Sequence, residues 1–139
     1  MTNEEIFDII YENPIIMAIK NNKDLRDSLD SENKIVFVLF GTVESIPHIV
    51  KKLKKHGKIV MVHEEGLSSS QLSSAFIKNY TDADGIITTR PQNAAYARQI
   101  GLFAILRFFV LDSLSYENVK ETVKKANCDL IEILPGIMP

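Results

Sequence analysis

The chain has 139 residues, with 16 Lys and Arg against 18 Asp and Glu, one Cys and no Trp, which is one domain's worth of ordinary globular composition. The lone Cys128 excludes a disulfide framework, the acidic opening MTNEEIFDII lacks the basic region of a secretory signal, and no run approaches the about 18 apolar residues of a membrane span, so a cytoplasmic location without a membrane partner is expected. A formal charge of −2 gives no global attraction to nucleic acid, and any RNA contact needs a local basic patch.

Ile6, Ile9 and Ile10 recur at helical spacing and predict a short N-terminal helix that Pro14 ends. An alternation follows. Residues 15–19 read as a first strand and 23–29, with Leu25 and Leu29 at i, i+4, as a short helix. Residues 35–40, IVFVLF, form a continuous apolar strand of the kind buried on both faces. Ile46, Ile49, Val50 and Leu53 mark an amphipathic helix that stops before Gly57, and 59–62 is a third strand. Residues 68–79 predict a helix with Ser69 or Ser70 as N-cap, and 85–88 a fourth strand. Asn93 is read as the cap of an alanine-rich helix, AAYARQI, that stops at Gly101; 103–106 is a fifth strand. Ser115 opens a helix with Tyr116, Val119, Val123 and Ala126 on one face, and 130–134 is a sixth strand.

Strands alternating with helices at this spacing imply right-handed parallel βαβ units in a single domain over residues 1–139. A doubly wound sheet and a barrel both fit, although no Gly-rich phosphate turn follows the first strand, which ends in Lys20-Asn21-Asn22. The length is short of the about 250 residues of a closed eight-stranded barrel.

Sites in parallel α/β folds lie at strand carboxyl ends. Those ends carry Lys20, Gly41-Thr42, His63-Glu64-Glu65, Thr88-Thr89-Arg90 and Arg107, with Glu132 inside the apolar sixth strand and Gly136 just past it. Glu132 needs a partner in that setting, and Arg107 on the preceding strand is the natural one. Arg90, Arg107 and Glu132 converge either as an anion-binding mouth or as a buried pair closing the core. Lys20 adds charge there or is a solvated loop lysine; a Schiff-base role lacks a supporting neighbour. His63 with Glu64 suits acid–base or metal work, or is a hydrogen-bonded structural residue; His48 and His56 lack ligand spacing, and no metal site is expected. Cys128 reads as a small core residue. Lys51, Lys54 and Lys55 share a helix face that either meets phosphates or is simply solvated, and no aromatic residue interleaves them in sequence.

Gly85-Ile86-Ile87-Thr88-Thr89-Arg90, Ala104–Ser113 and Ile131-Glu132-Ile133-Leu134-Pro135-Gly136-Ile137-Met138-Pro139 resemble the bacterial glycerol uptake operon antiterminator proteins, as do Pro14–Asn21, Lys55-His56-Gly57-Lys58 and Val62-His63. The resemblance implies an incomplete TIM-barrel-like α/β fold of about six parallel βα units after an N-terminal helix. It implies a transcription regulator, not an enzyme, that acts on leader mRNA of glycerol-utilisation genes in response to glycerol 3-phosphate, with no cofactor. The ligand-facing residues are then Lys20, His63, Thr89, Arg90, Arg107, Glu132 and Gly136, and the RNA candidates Lys51, Lys54 and Lys55. Two departures stand out. Glu64-Glu65-Gly66 replaces an Asp after the third-strand His, and the family continues through two further strand–helix units that hold a phosphate-binding Gly-Gly turn. The expectation is a barrel short of its last two units, with strand six as an edge. Self-association into a homo-oligomer, or the helix over residues 4–11, would cover that edge. The alternatives are a sugar-phosphate barrel enzyme of aldolase or isomerase type, suggested by Lys20, Arg90, Arg107 and Glu132, and an inactive fragment or assembly module.

Overall fold

The computed structural model describes residues 2–13, 15–66, 71–110, 121 and 127–135. Helix α1 (Asn3–Glu12) opens on a capping box, in which Thr2 Oγ1 accepts from the Glu5 N–H and the Glu5 carboxylate accepts from the Thr2 N–H. Then follow β1 (Ile16–Ile19), α2 (Asn22–Asp30), β2 (Ile35–Val38), α3 (Ile46–Lys55), β3 (Ile59–His63), a 3₁₀ turn (Glu64–Gly66), α4 (Gln71–Tyr80), β4 (Gly85–Thr88), α5 (Pro91–Gln99), β5 (Phe103–Val110) and β6 (Leu130–Pro135). The six strands are parallel and lie in sequence order β1-β2-β3-β4-β5-β6. A doubly wound sheet reverses strand order partway; this one never does, so the fold is a half-barrel of TIM type.

The period of two along each strand sorts the core into two layers. Val36, Val38, Val60, Val62, Ile86, Ala104 and Leu106 face outward and pack on Ile49, Val50 and Leu53 of α3, Ile77 of α4, and Ala94 and Ala97 of α5. Ile35, Phe37, Ile59, Met61, Ile87, Phe103 and Ile105 face the concave side, where Ile6 of α1 is buried among them. Phe7 meets Phe103 edge-on, with ring centroids 5.3 Å apart. Ile35, Ile59 and Phe103 are the first residues of their strands, so α1 fills the amino-terminal end of the half-barrel. Asn3 Nδ2 donates to Asp129 just ahead of β6, at 3.0 Å. The expected covering helix thus lies within the concave face and touches the start of strand six.

One device sets register twice. Asp84, just before β4, accepts from the Val60 N–H of β3 and from Lys54 Nζ of α3, both at 2.8 Å. Asp129, just before β6, accepts from the Ala104 N–H of β5 at 2.8 Å and pairs with Arg98 at 3.3 Å. In each case a carboxylate ahead of one strand grips the backbone of the strand before it and is neutralised by a helix cation.

Three expectations are corrected. Helix α5 begins at Pro91 with Arg90 as its extended N-cap, and Asn93 lies buried within the first turn instead of capping it. Proline presets the helical φ and lacks an N–H that would go unpaired there, so it starts the helix. Strand β5 runs to Val110, because β6 pairs with it from Ile105↔Leu130 to Val110↔Pro135; Arg107 therefore sits inside the strand and not at its end. Strand β2 stops at Val38 instead of residue 40, although the Leu39 N–H still donates to Ile19 O. The caps Ser69 and Ser70 and the helix expected from Ser115 to Ala126 fall outside the described residues, except for residue 121, which is helical.

Asp84→Ala is expected to lower stability by about 3 kcal/mol in urea unfolding, because it strands a largely buried ammonium and a strand N–H. Asp84→Asn, which keeps an acceptor, should lose about 1 kcal/mol. Equal losses in the two variants would remove the charge from this account.

Candidate functional site

With α1 at the amino end, the polar chemistry gathers at the carboxyl rim. Arg107 and Glu132 are register partners across β5 and β6, and Arg107 Nε donates to Glu132 Oε1 at 2.8 Å with both side chains mostly buried. The strand pairing thus supplies the partner that a carboxylate in LIEIL requires. Among the described residues the guanidinium hydrogen-bonds through Nε, and its two terminal nitrogens meet no described acceptor.

His63 ends β3 on the same side, with Nε2 3.7 Å from Glu65 Oε2. Burial lowers its pKa below the usual imidazole value; the Arg107 charge lowers it further, while Glu65 and Glu132 pull the other way. It is therefore a neutral imidazole at neutral pH, and it stands close enough to Arg107 and Glu132 to feel both.

The two glutamates after His63 diverge. Glu65 Oε1 accepts from the Thr89 N–H at 2.7 Å, the Thr89 hydroxyl at 2.5 Å and the Thr88 hydroxyl at 3.3 Å, clamping the end of β4 to the 3₁₀ turn. Burial alone would raise the Glu65 pKa, but the Thr89 hydroxyl and amide, His63 and Thr88 together hold it below the carboxylate range. Glu64 is fully buried on the opposite side, where the Ser74 hydroxyl of α4 donates to its Oε2 and its Oε1 has no hydrogen-bond partner among the described residues. Burial pushes the Glu64 pKa up, against the opposing pull of Ser74, Thr88 and Asn93, and nearby Glu65 adds to the rise. The pairing expected of His63 with Glu64 thus falls to Glu65. Strand alternation carried past His63 separates the two glutamates in this way, and that was the signal available in the sequence.

The structure therefore pairs Arg107 with Glu132, places His63 within electrostatic reach of both, and links Thr89 to His63 through Glu65. Lys20 stands exposed at the end of edge strand β1, its N–H donating to Asp24, two strands from β3. Arg90 is exposed at the head of α5, with its N–H on the Thr88 hydroxyl. Gly136 lies outside the described residues. The basic run is thinner than its sequence suggests. Lys54 is paired with Asp84, and Lys58 is buried with its Nζ donating to Ser31 O at 2.8 Å and Asn33 O at 2.5 Å. Lys51 and Lys55 stay exposed, so Lys54 is withdrawn from the expected RNA face by an aspartate distant in sequence. Cys128 is half-buried against the outer core, as expected of a small core residue. Among the described residues no cluster of three His, Cys, Asp or Glu is placed to hold a metal ion, and no helix is long and apolar enough to cross a membrane.

The pKa shifts fix a pH response. His63 and Glu65 have lowered folded pKa values, so their contributions are present above the unfolded values of 6.5 and 4.5 and are lost as pH falls through the folded ones. Glu64 has a raised folded pKa, so its contribution is present below its unfolded value and lost as pH rises through the folded one. Glu64→Gln, which is neutral and keeps an acceptor for Ser74, is expected to raise the melting temperature at pH 8 and to flatten its decline on the alkaline side. Melts between pH 5 and 9 check this, and a variant less stable than wild type at pH 8 would contradict it.

Residues 15–139 match the family described as glycerol-3-phosphate responsive antiterminator. YgcP of Escherichia coli (strain K12), itself described as an uncharacterized protein, is 42% identical over 134 residues, covering 94% of this chain and 70% of its own length. The crystal structure of a glycerol uptake operon antiterminator regulatory protein from Listeria monocytogenes superposes with a TM-score of 0.81 at 30% identity, over 91% of this chain and 71% of that one. A glycerol uptake operon antiterminator-related protein from Thermotoga maritima superposes with a TM-score of 0.77 at 33% identity, over 87% and 70%. With its sequential half-barrel and a match that begins at β1, the chain belongs to the glycerol-3-phosphate responsive antiterminator family.

Proposed function

We propose that the chain binds glycerol 3-phosphate at the His63–Arg107–Glu132 rim and, in response, binds leader mRNA of glycerol-utilisation genes in the cytoplasm to prevent early termination. The observation that carries the ligand half is the Arg107–Glu132 pair. Glu132 holds the guanidinium through Nε, so the terminal nitrogens are oriented before a ligand arrives. A phosphate monoester accepts from that fork, and the neutral His63 can donate to a further oxygen. The glycerol hydroxyls suit the carboxylates of Glu65 and Glu132 as acceptors. No turnover is proposed: Lys20 follows the edge strand β1, two strands from β3 and His63. The outer edge of β6 is the surface through which copies of the chain would pair.

Isothermal titration with glycerol 3-phosphate, and gel shifts of the glycerol-gene leader RNA with and without it, test this reading. Wild type should bind the ligand, and Arg107→Gln should bind it at least tenfold more weakly, the loss of about one charge-assisted hydrogen bond. Equal affinity in the two proteins would remove Arg107 from the site. A leader RNA left unshifted at low salt in both conditions would overturn the RNA half.

A further inference from the structure

The sequence places no aromatic residue among the basic run, but the fold does. Helices α3 and α4 lie side by side on the outer face, and a groove of about 520 Å³ between them is lined by His48 and Lys51 of α3, Asn79 and Tyr80 of α4, and Thr81 and Asp82 beyond it. Tyr80 is 70% exposed, unusual for a ring of its size beside a well-packed core. It is not loose. Its ring stacks on Phe76 one turn back, with centroids 5.2 Å apart and planes 28° apart, so one face is fixed and the other open. Lys51, Lys52 and Lys55 are exposed on α3, whereas Lys54 is neutralised by Asp84 and Lys58 is buried.

Resting on the reading that this chain binds RNA, we infer that the α3–α4 groove is the RNA contact, with an unpaired base stacked on Tyr80 and the adjoining backbone phosphate held by Lys51. A pre-stacked ring beside a lysine is the arrangement that captures single-stranded nucleic acid, since every base has a π-face and each phosphate needs one cation. Base-paired A-form RNA keeps its bases stacked on one another and cannot use the ring, so the occupant is an unpaired segment. Asp82 at the end of the groove repels phosphate there and directs the backbone toward Lys51 and Lys55.

The test is fluorescence anisotropy of the labelled glycerol-gene leader RNA between 50 and 300 mM salt. Tyr80→Ala should weaken binding about tenfold, whereas Tyr80→Phe, which keeps the stack, should stay within about twofold of wild type. Lys51→Gln should reduce the slope of log affinity against log salt by about 0.7, the value for one phosphate on a single strand. Lys23→Gln, an exposed lysine on α2, should leave that slope unchanged. A leader RNA trapped wholly in duplex by a complementary strand should bind wild type and Tyr80→Ala alike. If wild type binds the RNA while Tyr80→Ala and Lys51→Gln match it in affinity and slope, the groove is overturned and the antiterminator reading stands. If wild type binds no RNA, both fall. Unchanged urea midpoints in the variants keep a folding defect from imitating either result.

Discussion

A parallel sheet has to bury both faces, and among the described residues no strand stands opposite the concave face of this half-barrel. Helix α1 meets that constraint. Ile6 and Phe7 enter the concave face against the first residues of β2, β3 and β5 and make the amino end apolar and closed. Burying a side chain such as Ile6 is worth about 1.5–3 kcal/mol, so the closure helps to hold the sheet together. On the concave face, the paired charges Arg107 and Glu132 and the imidazole of His63 therefore lie toward the carboxyl rim. The site is where it is because the other end is full.

Charge within the sheet is handled by pairing across neighbours. Asp84 and Asp129 each occupy the residue before a strand, take a backbone N–H from the strand before it, and carry a helix cation. Arg107 and Glu132 repeat the theme inside the β5–β6 ladder. The difference lies in what is left over. Asp84 and Lys54 satisfy one another in a structural clamp, whereas among the described residues Arg107 is held through Nε alone and has the four N–H donors of its terminal nitrogens left over. The same chemistry serves register in one place and leaves a binding group in the other.

Much of this was legible from local pattern. Apolar runs such as IVFVLF announce strands buried on both faces, and the expectation that consecutive parallel strands lie side by side was enough to pair Arg107 with Glu132. What could not be read depends on distance in sequence or on competition between neighbours. Lys54 looks like its fellow lysines until Asp84, 30 residues on, is brought against it. Asn93 is a good cap by type, but Pro91 starts the helix before it can act. Tyr80 is distant from the lysines along the chain and adjoins Lys51 only because α3 and α4 flank neighbouring strands.

Helix α4 touches both proposed sites. Near its start Ser74 holds buried Glu64, the residue between His63 and Glu65; at its end Tyr80 lines the groove. A response to an effector requires two states of differing affinity, and a ligand shifts them only by its differential binding. On the proposed reading a ligand at the rim would act on His63 and Glu65, and the backbone between these residues carries Glu64. A movement there would reach Ser74 through its hydrogen bond to Glu64, inside a packed contact where a lost partner is costly. Ser74 and Tyr80 lie on one short helix, less than two turns apart, so α4 would move as a unit. By linkage, whatever factor glycerol 3-phosphate imposes on RNA affinity, RNA imposes on glycerol 3-phosphate. Measuring both couplings in Ser74→Ala, which removes the hydrogen bond to Glu64, separates a route through this contact from two sites that merely share a fold.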